Sequence, residues 1–380
     1  MSYTVEQIKE KEEMMYYPLI KTALDMSPLY PVFEDEEKRL ADELEIIHKM
    51  KQSKVIWYCF LIASEAKKNN EPYFVRGTIP DLFILYALGI TKSNPVEIGC
   101  CYQACLGTKE HPKPTIYFDI SFRPEYVDKI KQYAKTIESN IKVFHYSYHI
   151  DEDPVQYSPS SMIIIPGYVD ENEFCIIKES RDDLKVLGMK DLYSFDIGIK
   201  FNLLSAPMLG IVKNLQMNSE IVDFDKAFDD FKYVVFDEQF SSEYYRTVAE
   251  RINIVMFSNA LNLEGYAHAS HKKNDVCSFI FPDRESVFYY FSTNLKMPES
   301  ISYFLMEEVR TGAFGKKEHS KDEFKGVIDK DEFSDLSNIL YLFPRGHSAE
   351  YLYWRFQEAH YFRYHKEEYL KLKKEYNKED

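Results

Sequence analysis

Apolar and polar positions alternate in two different ways along the chain, and the change falls near residue 218. Before that point, short apolar runs bounded by turn residues predict strands, while apolar positions three or four residues apart predict helices. The strands are predicted at 73–75, 115–122, 162–165 and 200–204, and the helices at 36–69, 81–88 and 124–138. With a helical lead-in over residues 1–35, this pattern predicts a mixed α/β domain over residues 36–218.

From about residue 219 the pattern is mostly helical, which predicts a second, α-helical domain over residues 219–380. Pro298 suits the first position of a helix that runs to Arg310, and Gly312 suits its end. A long final helix is predicted over residues 348–374. Its expected buried stripe consists of Leu352, Phe356, Ala359 and Phe362.

Composition narrows the class of protein. The 380 residues are 45% hydrophobic and 16% aromatic, which is enough for a substantial core. The formal net charge of −15 argues against a general nucleic-acid coat, although it is compatible with a local basic groove. The N-terminus lacks the apolar core of a signal peptide and no stretch is long enough to span a bilayer. We therefore expect a cytoplasmic protein with no membrane partner.

The cysteines do not predict a metal site. Six are present, and no two of them form a Cys-x-x-Cys pair. Cys100, Cys101 and Cys105 lie close together in the sequence but lack the paired spacing that zinc sites use. We therefore expect buried or free thiols and no zinc.

Four separated blocks of the sequence carry a further signal. They are Val75-Arg-Gly-Thr-Ile-Pro-Asp-Leu-Phe-Ile84, Pro114-Thr-Ile-Tyr-Phe-Asp-Ile-Ser121, residues 158–166 with 198–204, and residues 342–369. In this order they resemble the palm and fingers of bacterial C-family replicative DNA polymerases, the DNA polymerase III α subunits, most nearly those of the PolC type. The first block is similar to a Gly- and Ser-rich loop of that family, and the second to its Pro-Asp-Ile-Asp-Leu-Asp/Asn-Phe-Ser motif.

The resemblance implies a nucleotidyltransferase-like palm, with an α/β or α+β fold, followed by mostly α-helical fingers. Polymerases of this family transfer nucleotides with Mg²⁺ ions that carboxylates on two strands hold. In this chain the matching positions are Thr115, Tyr117 and Asn202, whose side chains are uncharged at neutral pH. We therefore expect no intact catalytic residues, no bound metal and no cofactor.

Asp119 is the nearest surviving acid, and it shares a strand face with Tyr117. A register shift of two residues would place Asp119 on the second acid of the family motif. Pro114 and Ser121 argue against that shift. The alternative interpretation, which base rates for lone acids favour, is a solvent-facing or capping role.

The phosphate loop that the resemblance implies is only partly retained. Arg76, Gly77 and Thr78 match its middle and would make a weak anion site. Asp81 stands where the family has a small residue, and its charge would repel a triphosphate. The alternative is an ordinary turn marked by Gly77.

The resemblance also implies nucleotide or nucleic-acid contacts from the final helix. The residues that match the finger region are Arg345, His347, Arg355 and Arg363. Interleaved acids leave open the alternative of a solvated helix face with ion pairs between neighbouring turns. A lone residue such as His347 is more often a local hydrogen-bond partner than a catalytic group.

Three functions remain open at this point. The first is a truncated, degenerate polymerase relative without nucleotidyl transfer, retained to bind DNA or a replisome protein; we expect none of the family's exonuclease or clamp-binding segments. The second is an active DNA-directed DNA polymerase subunit with rewired metal ligands, for which Asp119, Asp191 and Asp196 are the residues to test. The third is an interaction or scaffold protein with no nucleic-acid role.

Overall fold

The computed structural model describes residues 3–30, 33–113, 116–147, 150–151, 156–180, 184–190, 196–216, 224–272, 280–316, 324 and 326–376. The chain divides into two compact units. The first comprises Met1–Ile79, Phe83–Thr91 and Lys113–Gly210, and the second comprises Pro80–Leu82, Lys92–Pro112 and Ile211–Asp380. The helical lead-in is therefore part of the first unit, and two short segments from the first half of the sequence belong to the second.

A seven-stranded mixed sheet forms the centre of the first unit. Its strands are β1 (Tyr73–Arg76), β2 (Phe118–Phe122), β3 (Ile141–Tyr146), β4 (Ser161–Pro166), β5 (Cys175–Glu179), β6 (Lys185–Met189) and β7 (Ile199–Ser205). They lie in the order β1-β2-β7-β4-β3-β6-β5. The pairs β2–β7 and β3–β6 are parallel, and the other neighbours are antiparallel. The expected mixture of helix and strand is therefore confirmed.

The helices are named here in chain order. They are α1 (Val5–Asp25), α2 (Glu34–Met50), α3 (Ser53–Lys68), α4 (Phe83–Ala87), α5 (Gln103–Leu106), α6 (Pro124–Ala134), α7 (Glu171–Phe174), α8 (Pro207–Gln216), α9 (Phe224–Val234), α10 (Glu243–Ile252), α11 (Phe257–His268), α12 (Arg284–Tyr289), α13 (Glu299–Arg310), α14 (Lys330–Asn338), α15 (Arg345–Tyr364) and α16 (Lys366–Tyr376). Two further short strands, β8 (Ser270–His271) and β9 (Ile339–Tyr341), pair with each other.

Two predicted helices are interrupted. The segment expected to be one helix over residues 36–69 is α2 followed by α3, because Lys51 adopts a left-handed φ of 57° and ends α2. The final helix was expected to run to residue 374. It ends at Tyr364, where His365 has φ −134° and ψ 44°, and α16 follows. Lys51 and Gln52 both lie outside helical dihedrals at the first break, and His365 does so at the second.

The core of the first unit lies between the sheet and helices that pack on it. Phe118 on β2 stacks against Phe201 on β7, with ring centroids 5.1 Å apart and an interplanar angle of 6°. Ile8 on α1 packs against residues of β3 and β4 such as Phe144 and Ile163. These apolar contacts fix the positions of the neighbouring strands β2 and β7.

In the second unit, α15 packs against α9 and α11. The predicted stripe on α15 is buried at all four positions, which are Leu352, Phe356, Ala359 and Phe362. The helix predicted from Pro298 is confirmed as α13, with Pro298 as its N-cap and Gly312 at a φ of 67° beyond its end. No helix among the described residues has both the length and the apolar character needed to cross a membrane.

Candidate functional site

Two of the residues that the sequence singled out meet where the neighbouring inner strands β2 and β7 pair with each other. This place is called the β2–β7 edge below, or simply the edge. In the parallel register, Asp119 is the direct partner of Asn202. Side chains alternate along a strand, so Asp119 lies on the face opposite the apolar Phe118 and Ile120. The polar pair therefore occupies one face of the sheet, while the apolar residues of β2 occupy the other.

A hydrogen-bond chain links three strands at this position. The Asn202 amide nitrogen Nδ2 donates to Asp119 Oδ1 at 2.6 Å. Ser161 on β4, which faces Asn202 in the antiparallel register, donates its hydroxyl to Asn202 Oδ1. The oxygen and the nitrogen of the Asn202 amide therefore both form hydrogen bonds, and the NH₂ group points at the Asp119 carboxylate.

The predicted phosphate-loop residues lie beside the same carboxylate. Arg76, the last residue of β1, is the antiparallel partner of Asp119. Gly77 follows with a left-handed φ of 82°, and a Cβ atom placed there would lie 3.2 Å from Asp119 Oδ2. The absence of a side chain at Gly77 therefore permits the loop to approach Asp119 closely. A negative group stands next to the place where the resemblance implies a phosphate.

Burial raises the pKa of the Asp119 carboxyl above its ordinary value. The hydrogen bond from Asn202 and the positive charges of Arg76 and Lys200 act in the opposite direction. These groups therefore offset only part of the cost of burying the charge of Asp119.

Tyr117 immediately precedes β2 and is 42% exposed. The predicted strand over residues 115–122 begins later, at Phe118, and Thr115 lies outside the described residues. Lys200 Nζ lies 4.9 Å from the ring centroid of Tyr117 and 4.8 Å from that of Tyr146. A cation of the protein therefore sits over the phenol ring.

The geometry gives this edge few ligands for a divalent cation. Mg²⁺ prefers several oxygens, usually including one or two carboxylates. Asp119 supplies a carboxylate, and Asn202 supplies an amide whose oxygen already accepts a hydrogen bond from Ser161. Within the described part of the chain, no group of three His, Cys, Asp or Glu ligand atoms gathers at this edge.

The basic residues predicted to contact nucleotide or nucleic acid are engaged with acids of the second unit. Arg345 pairs with Asp283 at 2.8 Å. Arg355 contacts Glu358 at 3.1 Å, and Arg363 contacts Asp230 at 2.8 Å. Each of these ion pairs reduces the positive charge that the side chain presents outward.

His347 is buried, with an exposed fraction of 1%. Its ring stacks on Phe343 with centroids 4.0 Å apart, and it meets His268 edge to face at 4.9 Å. The residue is therefore part of an aromatic cluster inside the second unit. A role in contacting nucleotide would require that cluster to open.

Asp196 and Asp191 are the two remaining acids considered for rewired catalysis. Asp196 is buried in the first unit, where it accepts hydrogen bonds from Lys9 Nζ at 2.8 Å and Gln52 Nε2 at 3.1 Å. Asp191 lies outside the described residues. The carboxylate of Asp196 thus has structural partners of its own.

The cysteines Cys59, Cys100, Cys101, Cys105 and Cys175 are buried. Burial raises the pKa of the Cys175 thiol to about 12, so this group is a neutral thiol at physiological pH. Cys277 lies outside the described residues.

Residues 7–147 match the family model described as the bacterial DNA polymerase III alpha NTPase domain. This part of the chain is therefore similar to that domain of bacterial DNA polymerase III alpha subunits. The matched part includes β1 and β2, and hence Arg76, Gly77 and Asp119. Asn202 and the final helices lie beyond it. No curated protein matches the chain.

Two members of the site were not singled out from the sequence, namely Ser161 and Lys200. Both lie in the block formed by residues 158–166 and 198–204, but their place in the site follows from strand register. Ser161 lies opposite Asn202, and Lys200 lies two residues before Asn202 on the same face of β7. The alternation rule applied to β7 would have indicated Lys200 once Asn202 was chosen.

Proposed function

We propose that the chain is a degenerate DNA polymerase III alpha-type palm and fingers that does not transfer nucleotides and serves as a binding module in replication. The observation that carries this proposal is the Asp119–Asn202 pair. At adjacent positions of two parallel strands, it supplies one carboxylate and one amide hydrogen-bonded to each other.

The chemistry of nucleotidyl transfer motivates the loss of activity. Two metal ions stabilise the attacking and leaving oxygens, and carboxylates must hold those ions against water. Here the amide donates its NH₂ group to the carboxylate, and Lys200 adds a positive charge nearby. These groups offset part of the charge of Asp119 at a place where a metal ion would otherwise do so.

The position of the loop after β1 also argues against triphosphate binding. Backbone N–H groups of a glycine-rich loop bind phosphate when no other anion is close. Gly77 instead approaches Asp119 Oδ2. A triphosphate at this loop would meet a carboxylate at short range, and the repulsion would oppose binding.

Among binding partners, a replication protein fits better than DNA. Arg345, Arg355 and Arg363 are paired with carboxylates in the second unit. The whole chain carries a net charge of −15, which opposes association with a polyanion. Binding to DNA is therefore expected to be weak and confined to low salt.

Primer extension tests the loss of activity. The purified chain is incubated with primer–template DNA, the four nucleotides and Mg²⁺ or Mn²⁺, and an Asp119→Asn variant prepared in parallel serves as the control for contaminating host polymerase. We expect no extension by either protein. Template-dependent extension by the wild type that disappears in Asp119→Asn refutes the proposal.

A salt series tests the choice of partner. Fluorescence anisotropy with single-stranded and primer–template DNA is measured from low to physiological salt, because phosphate contacts give a steep dependence of affinity on salt. We expect weak binding that vanishes at physiological salt. Tight binding there would indicate a DNA-binding role, and no binding even at low salt would leave a scaffold with no nucleic-acid role.

One observation favours the second candidate, an active subunit with rewired ligands. Asp119 stands in direct register with Asn202, so it occupies the strand edge that a surviving ligand would need. Separate substitutions of Asp119, Asp191 and Asp196 by Asn distinguish this candidate. An active enzyme would lose extension with at least one of them, whereas the proposed binding module has none to lose.

A further inference from the structure

A buried cluster in the second unit combines two carboxylates and a thiol from three separate segments. Asp81 ends a short 3₁₀ turn, Cys100 follows in the loop before α5, and Glu285 lies in the first turn of α12. One ligand atom from each residue lies within 4.8 Å of the others. Asp81 and Glu285 are fully buried, and Cys100 is 3% exposed.

The two carboxylates share the N-terminus of α15. Glu285 Oε2 accepts from the backbone N–H of Arg345 at 2.8 Å, and Asp81 Oδ1 accepts from that of Gly346 at 2.8 Å. The first N–H groups of a helix have no partner within the helix and carry partial positive charge. These contacts use one oxygen of each carboxylate and fix the orientation of the other.

Charge in the cluster is only partly balanced. The Arg345 guanidinium is held by Asp283, with Nε to Oδ2 at 2.8 Å and Nη2 to Oδ1 at 3.2 Å. That bidentate pair uses the positive charge of Arg345 on a third carboxylate. The same guanidinium also attracts Glu285, while the charges of Asp81 and Asp283 repel it, so one arginine faces several adjacent buried carboxylates. Such a group of anions needs a further positive charge or a proton.

Glu285 Oε1 is the observation that points to a ligand. This oxygen is buried and has no hydrogen-bond partner among the described residues. One carboxylate oxygen of the same residue is among the three ligand atoms of the cluster. A buried carboxylate oxygen without a hydrogen-bond partner has lost its hydration and lowers the stability of the folded state. A cation bound at this position would therefore stabilise the fold.

We propose that Asp81, Cys100 and Glu285 form a binding site for a single divalent transition-metal ion of the Zn²⁺ class. The mixed set of two carboxylate oxygens and one sulfur excludes Mg²⁺ and Ca²⁺ as the preferred ions, because these prefer oxygen ligands alone. Zn²⁺ accepts both oxygen and thiolate ligands in a tetrahedral arrangement, in which a water molecule supplies the fourth position. Binding displaces the proton of the Cys100 thiol to solvent.

The ion would have a structural effect. It would join the 3₁₀ turn, the loop before α5 and the start of α12. Two of its ligands, Asp81 and Glu285, also accept hydrogen bonds from the N-terminus of α15. The site stands apart from the Asp119–Asn202 pair and does not depend on the function proposed above. The earlier expectation of no zinc considered only the spacing of cysteines, whereas this ligand set contains one cysteine and two acids.

Metal analysis of the full chain tests the proposal. The protein is purified without chelator, loaded with Zn²⁺, desalted, and analysed by mass spectrometry for metal content. We expect about one Zn²⁺ ion per chain. Replacement by Co²⁺ should give the near-ultraviolet absorption of a thiolate–cobalt bond.

Variants assign the ion to these ligands. Cys100→Ser and Glu285→Gln should weaken Zn²⁺ binding by more than the roughly 10–100-fold that loss of an outer-sphere partner causes. Cys105→Ser and Glu350→Gln, which change another buried thiol and another buried acid of the same unit, should retain the ion. Asp81→Asn provides a further ligand variant if Glu285→Gln does not fold.

Two results would overturn the proposal. The first is a wild-type chain that binds no Zn²⁺ or Co²⁺ after loading, which would mean that a proton shared between Asp81 and Glu285 balances the charge. The second is a bound ion whose thiolate–cobalt absorption survives in Cys100→Ser and disappears in Cys105→Ser.

Discussion

The β2–β7 edge of the first unit and the acidic cluster of the second unit, formed by Asp81, Cys100 and Glu285, differ in the number of carboxylates that they hold. At the edge, where the resemblance implies carboxylates, Asp119 stands beside an amide and is half-buried. In the cluster, where no ligand motif was evident, Asp81 and Glu285 are both fully buried beside Cys100. Sequence resemblance thus pointed to the edge, whereas burial and an unpartnered carboxylate oxygen pointed to the cluster.

Removing a cation from each region gives the largest expected contrast. Arg345→Met leaves Asp283 and Glu285 buried without their guanidinium, so the free energy of unfolding should fall by about 3–5 kcal/mol. Lys200→Met at the edge should cost only about 1 kcal/mol, because Asp119 keeps its hydrogen bond from Asn202. Urea denaturation of both variants measures the difference, and equal costs would remove the distinction between the regions.

Glu350 separates the effect of burial from that of neighbouring acids. It is buried on α15 and accepts from the backbone N–H groups of Lys92 and Ser93, and burial raises its pKa to about 7 from 4.5. An acid with a raised pKa in the folded state stabilises the protein at low pH and loses that contribution as pH rises from 4.5 to 7.

Glu350→Gln should therefore gain stability relative to the wild type as pH rises, by about 3 kcal/mol between pH 4.5 and pH 8. Urea denaturation of both proteins across this pH range measures the difference between them. A difference that stays constant with pH would show that the pKa of Glu350 is the same in the folded and unfolded states.

Asn202→Asp tests whether one substitution can give the edge two adjacent carboxylates, as in the cluster, and with them the ability to bind a divalent cation. The second carboxylate would lie in register with Asp119 and lose the amide hydrogen bond, at a cost of about 1–2 kcal/mol. Mg²⁺ or Mn²⁺ should restore part of that loss in thermal unfolding and should leave the wild-type Tm unchanged. A wild-type Tm that rises with these ions would show that the edge already binds them.

Gly77→Ala gives the smallest effect and measures how closely the loop approaches Asp119. The left-handed φ of 82° costs about 1 kcal/mol for a non-glycine residue, and the new Cβ would lie 3.2 Å from Asp119 Oδ2. Gly326→Ala is the matched control, because its φ is 88° and no atom lies within 4 Å of the Cβ position. The excess cost at Gly77, read from thermal unfolding, reports the contact with Asp119; equal costs would exclude it.

Local pattern predicted the elements whose apolar residues face a single core. The stripe on α15 and the helix from Pro298 follow from 3.6-residue spacing and from end signals within a few residues. The strands β3, β5 and β6 were not predicted, since each is short and partly exposed and has little alternation of its own. The breaks at Lys51 and His365 carry no glycine or proline to announce them.

The sequence by itself determined the similarity to DNA polymerase III alpha subunits and the presence of Tyr117 and Asn202 where that resemblance implies charged residues, because identity and order are properties of the chain. Only the tertiary structure decided which groups meet. Strand register set Asp119 against Asn202, and the packing of distant segments gathered Asp81, Cys100 and Glu285. Such contacts depend on distances between residues far apart in sequence, which no local spacing encodes.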